Sequence, residues 1–88
     1  MQDQFKRLKE LLDDQDYPSV YLFKFIIKKD QDKMVEIKMC FDESAEFVTH
    51  PSKKGNYISV NIKQMMLNSE DIINRYLAVG KIKDVITL

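Results

Sequence analysis

Apolar residues recur along the chain with two periods, one near 3.6 residues and one of 2, and the switches between them outline its elements. Residues 2–12 place Phe5, Leu8, Leu11 and Leu12 at helical spacing with charges between them, which predicts a short amphipathic helix. The run Asp13-Asp14-Gln15-Asp16 sets like charges at the negative end of that helix dipole and predicts its stop; Pro18 fixes the turn that follows. Val20–Ile27 is dense in β-branched and aromatic residues and predicts a strand. Tyr21, Phe23, Phe25 and Ile27 fall on one face, and Val20, Leu22, Lys24 and Ile26 on the other. Two largely apolar faces predict an interior strand whose Lys24 face is the less buried.

Residues 31–41 carry both periods. Val35, Ile37, Met39 and Phe41 alternate like a strand, while Met34, Ile37, Cys40 and Phe41 mark one helical face. Asp30 or Asp32 as N-cap and the helix formers Lys, Met and Glu favour helix. Ala45–His50 reads as a strand centred on Phe47 and Val48, and residues 51–56 as a turn by their Pro, Gly and Asn. Tyr57–Met65 is a strand with Ile58, Val60 and Ile62 inward and Tyr57, Ser59, Asn61 and Lys63 outward, so the pair forms a hairpin. Asn68 or Ser69 caps a helix with Glu70 and Asp71 in its first turn, a stripe of Ile72, Ile73, Tyr76 and Leu77, and Gly80 as its stop. Ile82–Leu88 completes the pattern as a last strand.

The order is a helix followed by β-α-β-β-α-β, which is the α+β, ferredoxin-like sandwich. It predicts a four-stranded antiparallel sheet in the order 4-1-3-2, two helices on one face, and the short N-terminal helix besides. One domain spans 1–88, with 1–16 as helix and turn and 17–88 as the core. The outward Val20, Leu22 and Ile26 are more apolar than exposure favours. The N-terminal stripe folding back over them is the preferred cover, ahead of a second copy of the sheet.

Composition narrows the function classes. Apolar residues are 44% and charged residues 32%, an ordinary globular balance. Fourteen basic and fourteen acidic residues give zero net charge, which argues against a nucleic-acid partner. A single cysteine makes neither an internal disulfide nor a zinc site, and no metal or cofactor is expected. Residues 1–16 lack the apolar core of a secretory signal, and no run approaches the ~18 apolar residues of a membrane span. The expectation is a cytoplasmic chain with Cys40 a reduced thiol.

The stretch Pro51-Ser52-Lys53-Lys54-Gly55-Asn56-Tyr57-Ile58-Ser59-Val60 resembles the signature with which the YbeD-like family of small bacterial proteins enters its third strand. Residues 18–25 resemble that family's first strand and residues 80–88 its last, so the likeness runs from about Leu8 to Leu88. The family carries Ser where this chain has Lys53. The resemblance implies the ferredoxin-like fold in an ACT-like arrangement and helix for 31–41. It brings no activity, since the family is of unknown function. Amino-acid-binding ACT domains place a Gly-containing loop where this chain has Lys28-Lys29-Asp30.

Candidate chemistry gathers at one end of the predicted fold. Gly55 lets backbone approach a ligand, and Ser52, Lys53, Lys54, Asn56 and Tyr57 surround it. The topology adds Lys28, Lys29 and Lys81 beside the start of the first core helix, a suitable setting for an anion. The same loop also reads as a plain hairpin turn in which Gly55 supplies φ > 0 and the lysines are solvated. His50 is the lone histidine, with Glu46 on the same strand face. Cys40 on the apolar helix face acts as a small hydrophobe, and Met65-Met66 as core filler. Acylphosphatases share this topology but capture phosphate with a loop arginine; Arg7 and Arg75 lie elsewhere, and lysine lacks the bidentate fork. RNA-recognition domains stack bases on outward aromatics of the first and third strands, where this chain offers Tyr57 alone. The favoured reading is a non-catalytic ACT-like regulatory or interaction domain. Its partner is a small anionic ligand or another protein, and the chain is a monomer or weak homodimer. A small phosphate-handling hydrolase using the lysine-rich end is the alternative.

Overall fold

The computed structural model describes residues 3–29 and 33–88, with backbone alone for residues 3–5. Its elements are α1 (Asp3–Asp13), β1 (Ser19–Lys28), α2 (Met34–Lys38), β2 (Glu46–Pro51), β3 (Tyr57–Met66), α3 (Ser69–Gly80) and β4 (Ile86–Thr87). The strands form one antiparallel sheet in the order β2-β3-β1-β4, which is the predicted order read from the other edge and the sheet of a ferredoxin-like fold. β1 pairs with β3 along its whole length, from Ser19 opposite Met66 to Lys28 opposite Tyr57.

Alternation along β1 sorts the two sides of the sheet. Phe23, Phe25 and Ile27 are buried, and from β3 Val60, Ile62 and Met66 join them. Against that side pack Ile37 of α2, Ile72, Ile73 and Val79 of α3, and Leu12 of α1. The rings of Tyr21, Phe23, Phe25, Phe41 and Tyr76 meet mostly edge to face; Phe23 lies 5.1 Å from Phe41 and 5.2 Å from Tyr76. The opposite side is open. Of eleven exposed large hydrophobic residues among those described, seven sit on it: Val20, Leu22, Val48, Tyr57, Met65, Ile86 and Leu88. Met65 is thus exposed, and only Met66 of that pair fills the core.

Three expectations need correction. First, α1 does not fold across the open side; it lies against α3 with the other helices. Leu12 is 2% exposed, the Tyr17 hydroxyl donates to the Leu12 carbonyl at 2.8 Å, and the Ser69 hydroxyl donates to the Asp13 carboxylate. A polar tie at the start of α3 and an apolar slot beside it decide the placement. Phe5 belongs to the same predicted stripe, but its side chain lies outside the described residues. Second, the helix predicted over 31–41 is only five residues long. Lys33 stands at its N-cap without a side-chain bond; Asp30 and Asp32, the expected caps, lie outside the described residues. The predicted face holds, with Ile37 and Phe41 buried and Met34 and Cys40 partly so. Third, the last strand is two residues rather than seven, because 81–84 is a turn in which Asp84 has φ 67°. The predicted stop of α3 at Gly80 holds, without a left-handed residue there. Gly80 is the last helical residue, and tighter bonds from Lys81 to Ala78 and Ile82 to Val79 close the helix. At the other end Asn68, one of the two predicted caps, caps α3, accepting from the Asp71 amide at 2.9 Å.

Candidate functional site

β1 leaves the sheet at Lys28, directly opposite Tyr57 at the start of β3. One residue on, the Lys29 amide donates to the Asn56 carbonyl at 2.9 Å and clips the β1 exit to the hairpin turn. The turn is held by its own bonds. The Ser52 amide donates to the Tyr57 carbonyl at 2.9 Å, the Gly55 amide to the Ser52 carbonyl at 2.9 Å, and the Tyr57 amide to the Ser52 hydroxyl at 3.2 Å. Gly55 has φ +73°, and a Cβ placed there would meet nothing within 4 Å. Glycine is required by the dihedral rather than by crowding.

Between the β1 exit and the turn lies a cleft of about 540 Å³ lined by Lys28, Lys29, Gly55, Asn56 and Tyr57. Five of the nine predicted residues therefore meet there. Ser52 serves the turn, Lys53 and Lys54 are exposed at its tip, and Lys81 is exposed after α3; these four do not line the cleft. The described lining contains two ammonium groups, a carboxamide and a phenol, and no carboxylate. Such a set donates hydrogen bonds to an anion and stacks one ring edge beside it. A five-residue α2 contributes little dipole, so the lysines carry the positive field. By strand alternation the side chains of Lys28 and Tyr57 lie on the open side of the sheet, so the cleft opens towards that side.

The other candidates lie apart. His50 and Glu46 are both exposed on the open side of β2, four residues or about 13 Å apart along the strand, beyond hydrogen-bonding reach. The Cys40 thiol lies 3.5 Å from the Glu36 carbonyl, and burial pushes its ionisation up, which suits a packed thiol rather than a nucleophile. No group of three or more His, Cys, Asp or Glu residues among those described is arranged to hold a metal ion. No helix among the described residues is long and apolar enough to cross a membrane.

Pattern reading missed a polar cluster beneath the α2–β2 connection. Arg75 of α3 donates to the Cys40 carbonyl at 3.0 Å, stands over the Phe41 ring at 5.6 Å and lies 3.9 Å from Asp42. The Ser44 hydroxyl and amide donate to Asp42 at 2.6 and 3.0 Å, and these bonds, more than the nearby guanidinium, hold its carboxyl below the ordinary value. Gln64 is buried on β3, between Ile62 and Met66 on the inner side. The sequence signal was a polar residue in an otherwise apolar alternation, Ile62-Lys63-Gln64-Met65-Met66. Tyr21 and Tyr76 form a second inner contact, hydroxyl to hydroxyl at 2.9 Å; burial first and the Tyr21 bond second push the Tyr76 phenol up.

The family model "Protein of unknown function (DUF493)" matches residues 13–88, and the chain belongs to that family. No curated protein and no solved structure matches the chain.

Proposed function

We propose that this member of the DUF493 family is a non-catalytic, ACT-like regulatory domain that takes a small anionic ligand in the cleft at the β1 exit. The observation that carries the reading is the meeting of Lys28 and Lys29 with Gly55, Asn56 and Tyr57 around one cleft. The lysines come from the end of one central strand and the other three residues from a tight turn, so they are held by a rigid sheet end rather than by a long loop. The likeness of residues 51–60 to YbeD-like proteins supports the ACT-like arrangement. The distance between His50 and Glu46 and the packing of Cys40 supply no nucleophile–base pair, which favours binding over turnover.

A thermal-shift series on the full chain tests the reading, with inorganic phosphate, a nucleoside monophosphate and a set of amino acids as separate probes. A bound anion at a hundred times its dissociation constant stabilises by about 2.7 kcal/mol. The expected result is a saturable rise in melting temperature with at least one anion, abolished in the double variant Lys28→Ala, Lys29→Ala. Flat responses to every probe, or a rise that survives in the double variant, contradict it.

A further inference from the structure

Three of the four tyrosines are tied into the fold. The Tyr17 hydroxyl donates to the Leu12 carbonyl, the Tyr21 and Tyr76 hydroxyls bond to each other, and all three side chains pack against the core. Tyr57 is different. It lines the cleft at the β1 exit and is 41% exposed. Among the described residues it joins no aromatic pair, no cation stands over its ring, and its hydroxyl has no hydrogen-bond partner. Building on the anion reading above, we infer that the cleft takes a ring-bearing phosphate of the nucleoside monophosphate kind, its ring stacked on Tyr57 and its phosphate held by Lys28 and Lys29.

The register brings the two recognition elements together. Lys28 and Tyr57 are directly opposite each other on β1 and β3, so their side chains leave the sheet on the same side with Cβ atoms about 5 Å apart. A ligand laid on the ring therefore carries an attached phosphate within reach of the Lys28 ammonium. Lys29 lines the cleft from the next residue, and its amide bond to the Asn56 carbonyl at 2.9 Å fixes Asn56 beside them. The Asn56 carboxamide has no partner among the described residues. It offers both a donor and an acceptor, the combination that the edge of a heterocycle needs.

Size and charge point to the same class. At about 540 Å³ the cleft falls within the roughly 300–1,000 Å³ of sites that enclose an organic ligand, and a free phosphate leaves most of it unfilled. Lys28 and Lys29 take part in no ion pair among the described residues, and the described lining has no carboxylate. The ammonium of an amino acid would face two like charges there with nothing to neutralise it, which disfavours a zwitterion and favours a dianion.

Isothermal titration calorimetry of the full chain tests the inference with inorganic phosphate, ribose 5-phosphate, adenosine 5′-monophosphate and phenylalanine as separate probes. Adenosine 5′-monophosphate is expected to bind at least tenfold more tightly than ribose 5-phosphate, which lacks the ring, and phenylalanine more weakly than either. Tyr57→Ala should lower the affinity for adenosine 5′-monophosphate about tenfold and leave that for ribose 5-phosphate unchanged, while Tyr57→Phe keeps the advantage of the ring. Both variants should keep the melting temperature of the parent, Tyr57 being exposed. Equal affinity for the two organic phosphates, an advantage that survives Tyr57→Ala, or phenylalanine as the tightest ligand overturns the inference and leaves the anion reading standing. Silence from all the probes overturns both.

Discussion

Phe23 and Leu22 are neighbours on β1, both apolar, and they meet opposite surroundings. Phe23 is fully buried among Tyr21, Phe25, Phe41 and Tyr76, while Leu22 is 42% exposed on the open side. The same contrast separates Leu12 from Leu11 on α1, at 2% and 63% exposure. Apolar character alone therefore does not mark the core of this protein; the side of the sheet does. The helix side carries the folding free energy, and the open side, towards which the cleft opens, carries little of it.

The largest effects should separate the two sides. Phe23→Ala is expected to cost about 3–5 kcal/mol in denaturant unfolding, from lost burial and the cavity left behind. At low protein concentration Leu22→Ala should fall within about 0.5 kcal/mol of the parent. A comparable loss in both would erase the distinction. On α1, Leu12→Ala should cost about 2–5 kcal/mol, and Leu11→Ala within about 0.5 kcal/mol of nothing. A silent Leu12→Ala would detach α1 from the helix layer.

Much of this contrast was legible in the sequence, and the parts that were not have a common cause. The alternation Tyr21, Phe23, Phe25, Ile27 against Val20, Leu22, Lys24, Ile26 gave both sides of β1, and the Lys24 side proved the exposed one. The strand order, the Asn68 cap and the positive φ of Gly55 followed from local chemistry. The position of α1 did not, because an amphipathic stripe states that a helix needs a partner without saying which. The bond between Ser69 and Asp13 joins residues far apart in sequence, and no periodicity announces it. The shortness of β4 came from the turn at Asp84, a residue type that tolerates left-handed backbone without requiring it. At the cleft, Gly55, Asn56 and Tyr57 came from the chemistry of the turn and Lys28 and Lys29 from topology, whereas Lys81, before the shortened last strand, does not line it.

Smaller effects sharpen the contrast where the two sides meet. Gly55→Val at the hairpin turn should cost about 1–3 kcal/mol by dihedral strain alone, since nothing crowds the site. Gly80→Ala should act with the opposite sign. Its backbone is helical and equally uncrowded, so stability should rise by up to about 1 kcal/mol. Equal responses at the two glycines would contradict the conformations assigned to them.

The smallest expected effect is the pH dependence of the α1–α3 tie. The Ser69 hydroxyl, and after it Lys9, hold the Asp13 carboxyl below its ordinary value. A depressed folded value means that the stabilisation is present above about pH 4 and is lost as the pH falls through the folded value. Acid unfolding followed by circular dichroism should show a shallower loss in Asp13→Asn than in the parent. Identical acid limbs would remove the tie from the account.

The central claim is that the cleft between the β1 exit and the hairpin turn is where a small anion binds. Backbone amide chemical shifts recorded by NMR during titration of the full chain with the anion that gives the largest thermal shift test it residue by residue. The account predicts saturable shifts centred on Lys28, Lys29, Gly55, Asn56 and Tyr57, with the inner residues Phe23 and Ile72 unmoved. Shifts centred elsewhere, or none at saturating concentration, would contradict it.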